Sequence, residues 1–161
     1  MNFTHLDENG RGRMVDVGQK EYTARRAVAT ATVFLNADTL ERIQNNAIAK
    51  GNVFSIAHVA GVSAAKHTWE HIPLCHQIPL TGVEIDFLFA EDPTAIKIIA
   101  EVTANYTTGV EMEALSAATT AALTIYDMCK AVQQDMAIGE IFLLKKTGGK
   151  SDYFRGEPCD R

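Results

Sequence analysis

Apolar and polar positions alternate in blocks that change period along the chain. From Arg25 to Leu35, Val28, Thr30, Thr32, Val33 and Phe34 interleave with alanines, which predicts one long strand. Asp38 followed by Glu41 is a capping-box-like start, and Leu40, Ile43, Ala47 and Ile48 recur at helical spacing, so a short helix is expected before Gly51. Asn52 can cap a second helix that carries Val53, Ile56, Ala57, Ala60 and Ala64, runs on toward Trp69 and stops at Pro73. Thr81 to Ala90 and Ala95 to Tyr106 are strand-like runs separated by Glu91-Asp92-Pro93-Thr94, a turn cluster suited to an antiparallel hairpin. The longest helical segment runs from Val110 to about Gln134, with Met112, Leu115, Ala118, Ala122, Ile125 and Met128 on a broad apolar face. Ile138 to Lys146 closes the series as a last strand.

The order strand, helices, strand, strand, helix, strand predicts an α/β (α+β) chain with a ferredoxin-like βαββαβ topology, an added helix in the first crossover, and an antiparallel sheet packed by helices. All 161 residues are expected to form a single domain, with a flexible N-terminal arm over about 1–20 and a loose tail over about 150–161. At 47% hydrophobic residues the chain can bury a core of its own. Fifteen Lys and Arg against 20 Asp and Glu leave a net charge of -5, which disfavours a nucleic-acid binder and requires any anion site to be local. Three widely spaced cysteines, Cys75, Cys129 and Cys159, suggest neither a disulfide framework nor a zinc ribbon and fit a cytoplasmic setting. The polar N-terminus has no secretory h-region or spanning helix, so no membrane association is expected.

Several groups could carry chemistry. His67-Thr68-Trp69-Glu70-His71 satisfies H-x-x-E-H, two imidazoles one helical turn apart with Glu70 as a potential base, but a third metal ligand is missing and Pro73 closes the helix. Ser63-Ala64-Ala65-Lys66 with Lys146-Thr147-Gly148 imitates S-x-x-K and K-T-G, but the intervening S-D-N is absent and such enzymes need a longer chain. Thr108-Gly109-Val110-Glu111 fits a capping box that would occupy Glu111, whereas Glu113 has no such structural duty and is the better functional candidate. Asp127 and Lys130 share one helix face within an apolar stretch and suit proton transfer. Lys50 before a helix start, Leu74-Cys75-His76 after Pro73, and Lys145-Lys146 before Gly148-Gly149-Lys150 place cationic or hydrogen-bonding groups at element ends, where phosphate is readily held. Glu113 and Asp127 are fourteen residues apart, or about 21 Å along one helix. Either they serve different roles, or a site is assembled from two subunits, one supplying Glu113 and the other Asp127.

Met14-Val15-Asp16-Val17, Lys50-Gly51-Asn52-Val53-Phe54, Ile72-Pro73-Leu74-Cys75-His76, Thr108-Gly109-Val110-Glu111-Met112-Glu113-Ala114-Leu115 and Tyr126-Asp127-Met128-Cys129-Lys130-Ala131-Val132 together resemble the cyclic pyranopterin monophosphate synthases of molybdenum cofactor biosynthesis. The resemblance runs from about Thr4 to Asp152. It implies a homohexamer, a trimer of dimers with the active site at the dimer interface. The implied reaction takes 3′,8-cyclised dihydroguanosine triphosphate to cyclic pyranopterin monophosphate and pyrophosphate, by ring opening, rearrangement and cyclic phosphate formation. Carried over by motif, Asp127, Lys130 and Lys50 are catalytic; Leu74, Cys75, His76, Met112 and Glu113 bind substrate with Glu111; Arg25 and Lys146 face the phosphates. No cofactor is required, and magnesium (Mg2+) is an optional assistant without an evident carboxylate cage.

The chain departs from the family pattern at Gln77, where proline is usual, Thr107, where lysine is expected, Asn52, where aspartate is frequent, and His67 and His71. The change at Thr107 predicts altered phosphate affinity rather than loss of activity. Two rival readings are a zinc-dependent hydrolase using His67, Glu70 and His71, and a non-catalytic ferredoxin-like scaffold.

Overall fold

The structure, a computed structural model, describes residues 9–155. Cys159, the first eight residues of the expected arm and the last six of the expected tail lie outside them. The elements follow in the order β1 (Thr23–Phe34), α1 (Ala37–Gln44), α2 (Val53–Lys66), α3 (Thr68–His71), β2 (Leu80–Glu91), β3 (Thr94–Tyr106), α4 (Glu111–Cys129), β4 (Ala137–Thr147) and β5 (Tyr153–Phe154).

The five strands form one sheet in the order β2-β3-β1-β4-β5, with every neighbouring pair antiparallel. Its first four strands have the ferredoxin-like arrangement that the element order predicts. Strand alternation puts Ala27, Ala29, Ala31 and Val33 opposite Val102, Ala100, Ile98 and Ile96, and all eight are buried. These small and branched side chains form the sheet side of the core, against which α2 and α4 pack together. Five alanines of α4, Ala114, Ala117, Ala118, Ala121 and Ala122, are fully buried. They let the two helices approach so closely that a Cβ on Gly61 of α2 would stand 2.9 Å from the Ala117 carbonyl oxygen and 2.4 Å from Ile85 Cδ1.

Three local expectations are corrected. Asn36, not Asp38, caps α1: its side chain accepts from the Thr39 amide at 2.8 Å, while Asp38 pairs with Arg42 one turn on. The helix after Asn52 does not run through Trp69. It ends at Lys66, the His67 amide divides itself between the Ser63 and Ala64 carbonyls, and a separate single turn follows. His67 and His71 therefore do not share one continuous helix, and the geometry that H-x-x-E-H requires is lost. The capping box at Thr108 does not form either, because α4 begins only at Glu111 with Val110 as its cap residue. Beyond Gly148, residues 153–154 add a short edge strand on Lys145 and Lys146.

Candidate active site

Two adjoining cavities open at the N-terminal end of α4. One, of about 360 Å³, is lined by Val15, Leu74, Cys75, His76, Met112 and Glu113 among others. The second, of about 250 Å³, is lined by Arg25, Arg26, Lys146 and Lys150. Both share Lys20, Thr108, Gly109 and Glu111, so they form the two halves of one cleft. The α4 N-terminus contributes the wall between them, where unpaired helical amides and the macrodipole favour a bound anion.

The first half combines a thiol, an imidazole and a buried acid. Glu113 is only 3% exposed. Burial, with a smaller contribution from the neighbouring charge of Glu111, pushes its carboxyl up to about 7. Burial also raises the Cys75 thiol, and the negative charge of Glu113 adds to the shift, which disfavours the thiolate form that a nucleophile needs. His76 Nε2 lies 2.8 Å from the Val15 carbonyl oxygen. A carbonyl can only accept, so Nε2 carries the proton and Nδ1 is left for a ligand. The segment around Val15 and Val17 thus belongs to the wall of the site.

The second half is cationic. The Arg25 guanidinium donates to the Tyr106 and Thr107 carbonyls, each at 3.0 Å, and fixes the loop that leads into α4. Lys146 pairs with Glu111 at 3.0 Å, which leaves Glu111 engaged across the cleft rather than in a helix cap. Strand alternation separates the adjacent lysines: Lys146 stands opposite Ala27 on the helix side, whereas Lys145 stands opposite Val28 and lies over the Phe154 ring. Thr107, where the family pattern suggested lysine, is buried and offers only its carbonyl to Arg25. Lys150, from the glycine turn that the sequence marked for phosphate, lines the same half, as does Lys20, which was not among the candidates read from the sequence. Lys150 had a signal in the glycine-flanked turn, while Lys20 sits in a polar stretch that gives no sign of folding over the cleft. A Cβ on Gly148, which has φ +87°, would come within 1.8 Å of the Ala24 carbonyl oxygen, so the turn presenting Lys150 requires glycine.

A third cluster lies at the other end of α4. Asp127 is held between Lys50 Nζ at 2.9 Å and Lys130 Nζ at 2.7 Å, and Lys50 also donates to the Asp127 carbonyl at 2.7 Å. The Lys130 hydrogen bond, and then that of Lys50, lowers the Asp127 carboxyl to about 2. Its carboxylate in turn raises Lys130. A cavity of about 550 Å³ lined by Lys50, Tyr126, Lys130, Ala131 and Gln134 opens beside the trio. The chain thus brings Leu74, Cys75, His76, Met112, Glu113, Glu111, Arg25 and Lys146 to one end of the helix, and Lys50, Asp127 and Lys130 to the other. Among the described residues no group of three or more His, Cys, Asp or Glu is set to hold a metal ion, and His67, Glu70 and His71 lie outside both ends.

Fold and cleft together define a ferredoxin-like α+β protein whose cleft sets a cationic half beside a buried acid and an imidazole. The chain belongs to the MoaC family, whose match covers residues 14–149. It is 54% identical over 156 residues to a cyclic pyranopterin monophosphate synthase from Brevibacillus brevis, covering 96% of this chain and 97% of the relative. It is 52% identical over 157 residues to a protein of the same name from Thermoanaerobacter sp. (strain X514), covering 98% and 99%. A third, from Clostridium acetobutylicum, is 48% identical over 152 residues, covering 94% of each chain. These relationships support neither the zinc-hydrolase reading nor the scaffold reading. Among the described residues no helix is long and apolar enough to cross a membrane.

Proposed function

We propose that the chain carries out the synthesis for which its relatives are named, forming cyclic pyranopterin monophosphate in molybdenum cofactor biosynthesis, from 3′,8-cyclised dihydroguanosine triphosphate with release of pyrophosphate. The observation that carries this reading is identity of about half to named synthases over nearly the whole of both chains. The reaction is that of a lyase: a sugar hydroxyl gives up its proton to solvent and bonds to the α-phosphorus, the bond from that phosphorus to the β-phosphate bridging oxygen breaks, and pyrophosphate leaves with the electron pair.

The cationic half of the cleft supports a role in holding the triphosphate, with Arg25, Lys146, Lys20 and Lys150 as its donors. Lys146 would exchange its bond to Glu111 for a phosphate oxygen. In the other half, Glu113 and the free Nδ1 of His76 suit the polar edge of the purine-derived ring, while Leu74, Cys75 and Met112 provide its apolar bed. Asp127 with a carboxyl near 2 is a weak base, so its part is to orient two ammonium groups. Lys130 and Lys50 then donate to the nitrogen that leaves during ring opening and take protons back during ring closure.

The carboxylates lining the cleft are Glu111, paired with Lys146, and Glu113, buried, a donor set that does not fit a resident Mg2+.

The distance between the two groups favours a site shared by two subunits, in which the Asp127 trio of one meets the Glu113 cleft of another, and the resemblance to the family extends this to a homohexamer built as a trimer of dimers. Localisation to the cytoplasm follows from the same pathway assignment. The test is a single-turnover reaction of the purified protein with the cyclised triphosphate, following pyrophosphate and pterin. Wild type yields both, and Lys50→Ala and Asp127→Asn lose the pterin while staying folded; a folded wild-type protein that forms neither product refutes the assignment.

A further inference from the structure

Lys50 sits in the short connection between α1 and α2, and its ammonium reaches Asp127 from there. Just past the α1 cap residue Asn45, Asn46 lies in the left-handed region, at φ 53°, which asparagine adopts more readily than most residues. The connection ends with Asn52, whose side-chain oxygen accepts from the Ser55 amide at 2.8 Å and so caps α2. Because that oxygen is committed to the cap, the Asn52 amide group points back across the loop, where Nδ2 donates to Asn46 Oδ1 at 2.8 Å. One side-chain hydrogen bond thereby closes the base of a five-residue loop that carries Lys50. Within it, Gly51 donates to the Ile48 carbonyl at 3.0 Å and the buried Ile48 fastens the loop to the core.

We propose that Asn46 and Asn52 form a latch that positions Lys50 against Asp127, making both asparagines positioning residues for the reaction rather than catalytic ones. The proposal rests on the functional reading above for its effect on turnover, but not for its effect on geometry. The chemistry of the latch sets its own rule. Aspartate at 46 still accepts from Asn52 Nδ2. Aspartate at 52 still caps Ser55 with one oxygen, and its other oxygen accepts from Asn46 once that carboxamide turns to present Nδ2. Aspartate at both positions leaves two acceptors facing each other and opens the latch. Glycine at 46 keeps the left-handed backbone while removing the carboxamide.

The experiment uses the full chain in four forms besides wild type: Asn46→Gly, Asn46→Asp, Asn52→Asp and the double aspartate variant. Two quantities are read, the titration of the Asp127 carboxyl by carbon NMR, and kcat and KM with the cyclised triphosphate. Opening the latch frees Lys50, so the Asp127 midpoint moves upward in Asn46→Gly and in the double variant. In those two, kcat falls about tenfold with little change in KM, as for a displaced reacting group. Either single aspartate variant retains the wild-type midpoint and turnover. An unchanged Asp127 midpoint in both Asn46→Gly and the double variant overturns the proposal, whatever the activity. A shifted midpoint with unchanged kcat supports the latch and overturns instead the role given to Lys50.

Discussion

Glu113 and Asp127 are carboxylates on one helix with opposite electrostatics. Glu113 is buried without a cation beside it and holds its proton up to about 7, whereas exposed Asp127 is pinned between two ammonium groups and drops to about 2. The sign of the first shift makes a prediction. Below about pH 4.5 folded and unfolded chains both carry the Glu113 proton; between there and about 7 only the folded chain does, so stability falls with rising pH by about 3 kcal/mol in all. Glu113→Gln removes this slope, as measured by urea unfolding between pH 4 and 8, and a slope unchanged in the variant contradicts the buried, protonated state. Glu113 was legible from the sequence because no local structural task explains an acid at its position. Glu111 was misread as a cap because the first turn of α4 starts two residues later than Thr108 suggests, which leaves Glu111 to Lys146. Lys20 was not legible at all, since a solvated lysine in a polar stretch looks the same whether or not tertiary structure folds it over a cleft.

At the scale of elements, strands and hairpin follow the alternation closely, because β1 to β4 each have one face against the α2–α4 layer and a shift by one residue would turn the core outward. Helix ends were less legible. Both Asn36 and Asp38 are competent caps, and the choice fell to the residue that also links to Gln133 through its backbone. The break at His67 has no proline or glycine to announce it; Thr68 Oγ1 donates back to the Ala64 and Ala65 carbonyls and holds the new turn against the end of α2. The contact between α2 and α4 offers the sharpest test. Gly61→Ala pushes a methyl group against the Ala117 carbonyl, backbone that cannot swing aside, and is expected to cost about 1–3 kcal/mol and lower the thermal midpoint. A variant as stable as the wild type would mean that the helices are not packed so tightly.

At the scale of the molecule, a chain of net charge -5 sets local groups of cations at the two ends of one helix. If the reacting site joins these ends across two subunits, neither Glu113→Ala nor Asp127→Asn forms pterin alone. A 1:1 mixture, refolded together, recovers about a quarter of wild-type activity, because half the random dimers are mixed and each of those has one intact site. No recovery in mixtures shown by light scattering to contain exchanged subunits would place the whole site within one chain.

The unbroken run of α4 from Glu111 to Cys129 also bears on how such a chain can change over evolutionary time. Every residue inserted or deleted between Glu113 and Asp127 would swing one end of the helix by about 100° relative to the other and slide it by about 1.5 Å. Substitutions at the less buried positions of this stretch alter only local contacts, but a change of its length would turn the lysine-bound carboxylate away from Lys50, so descendants of this sequence keep both the buried alanines and the register of the helix.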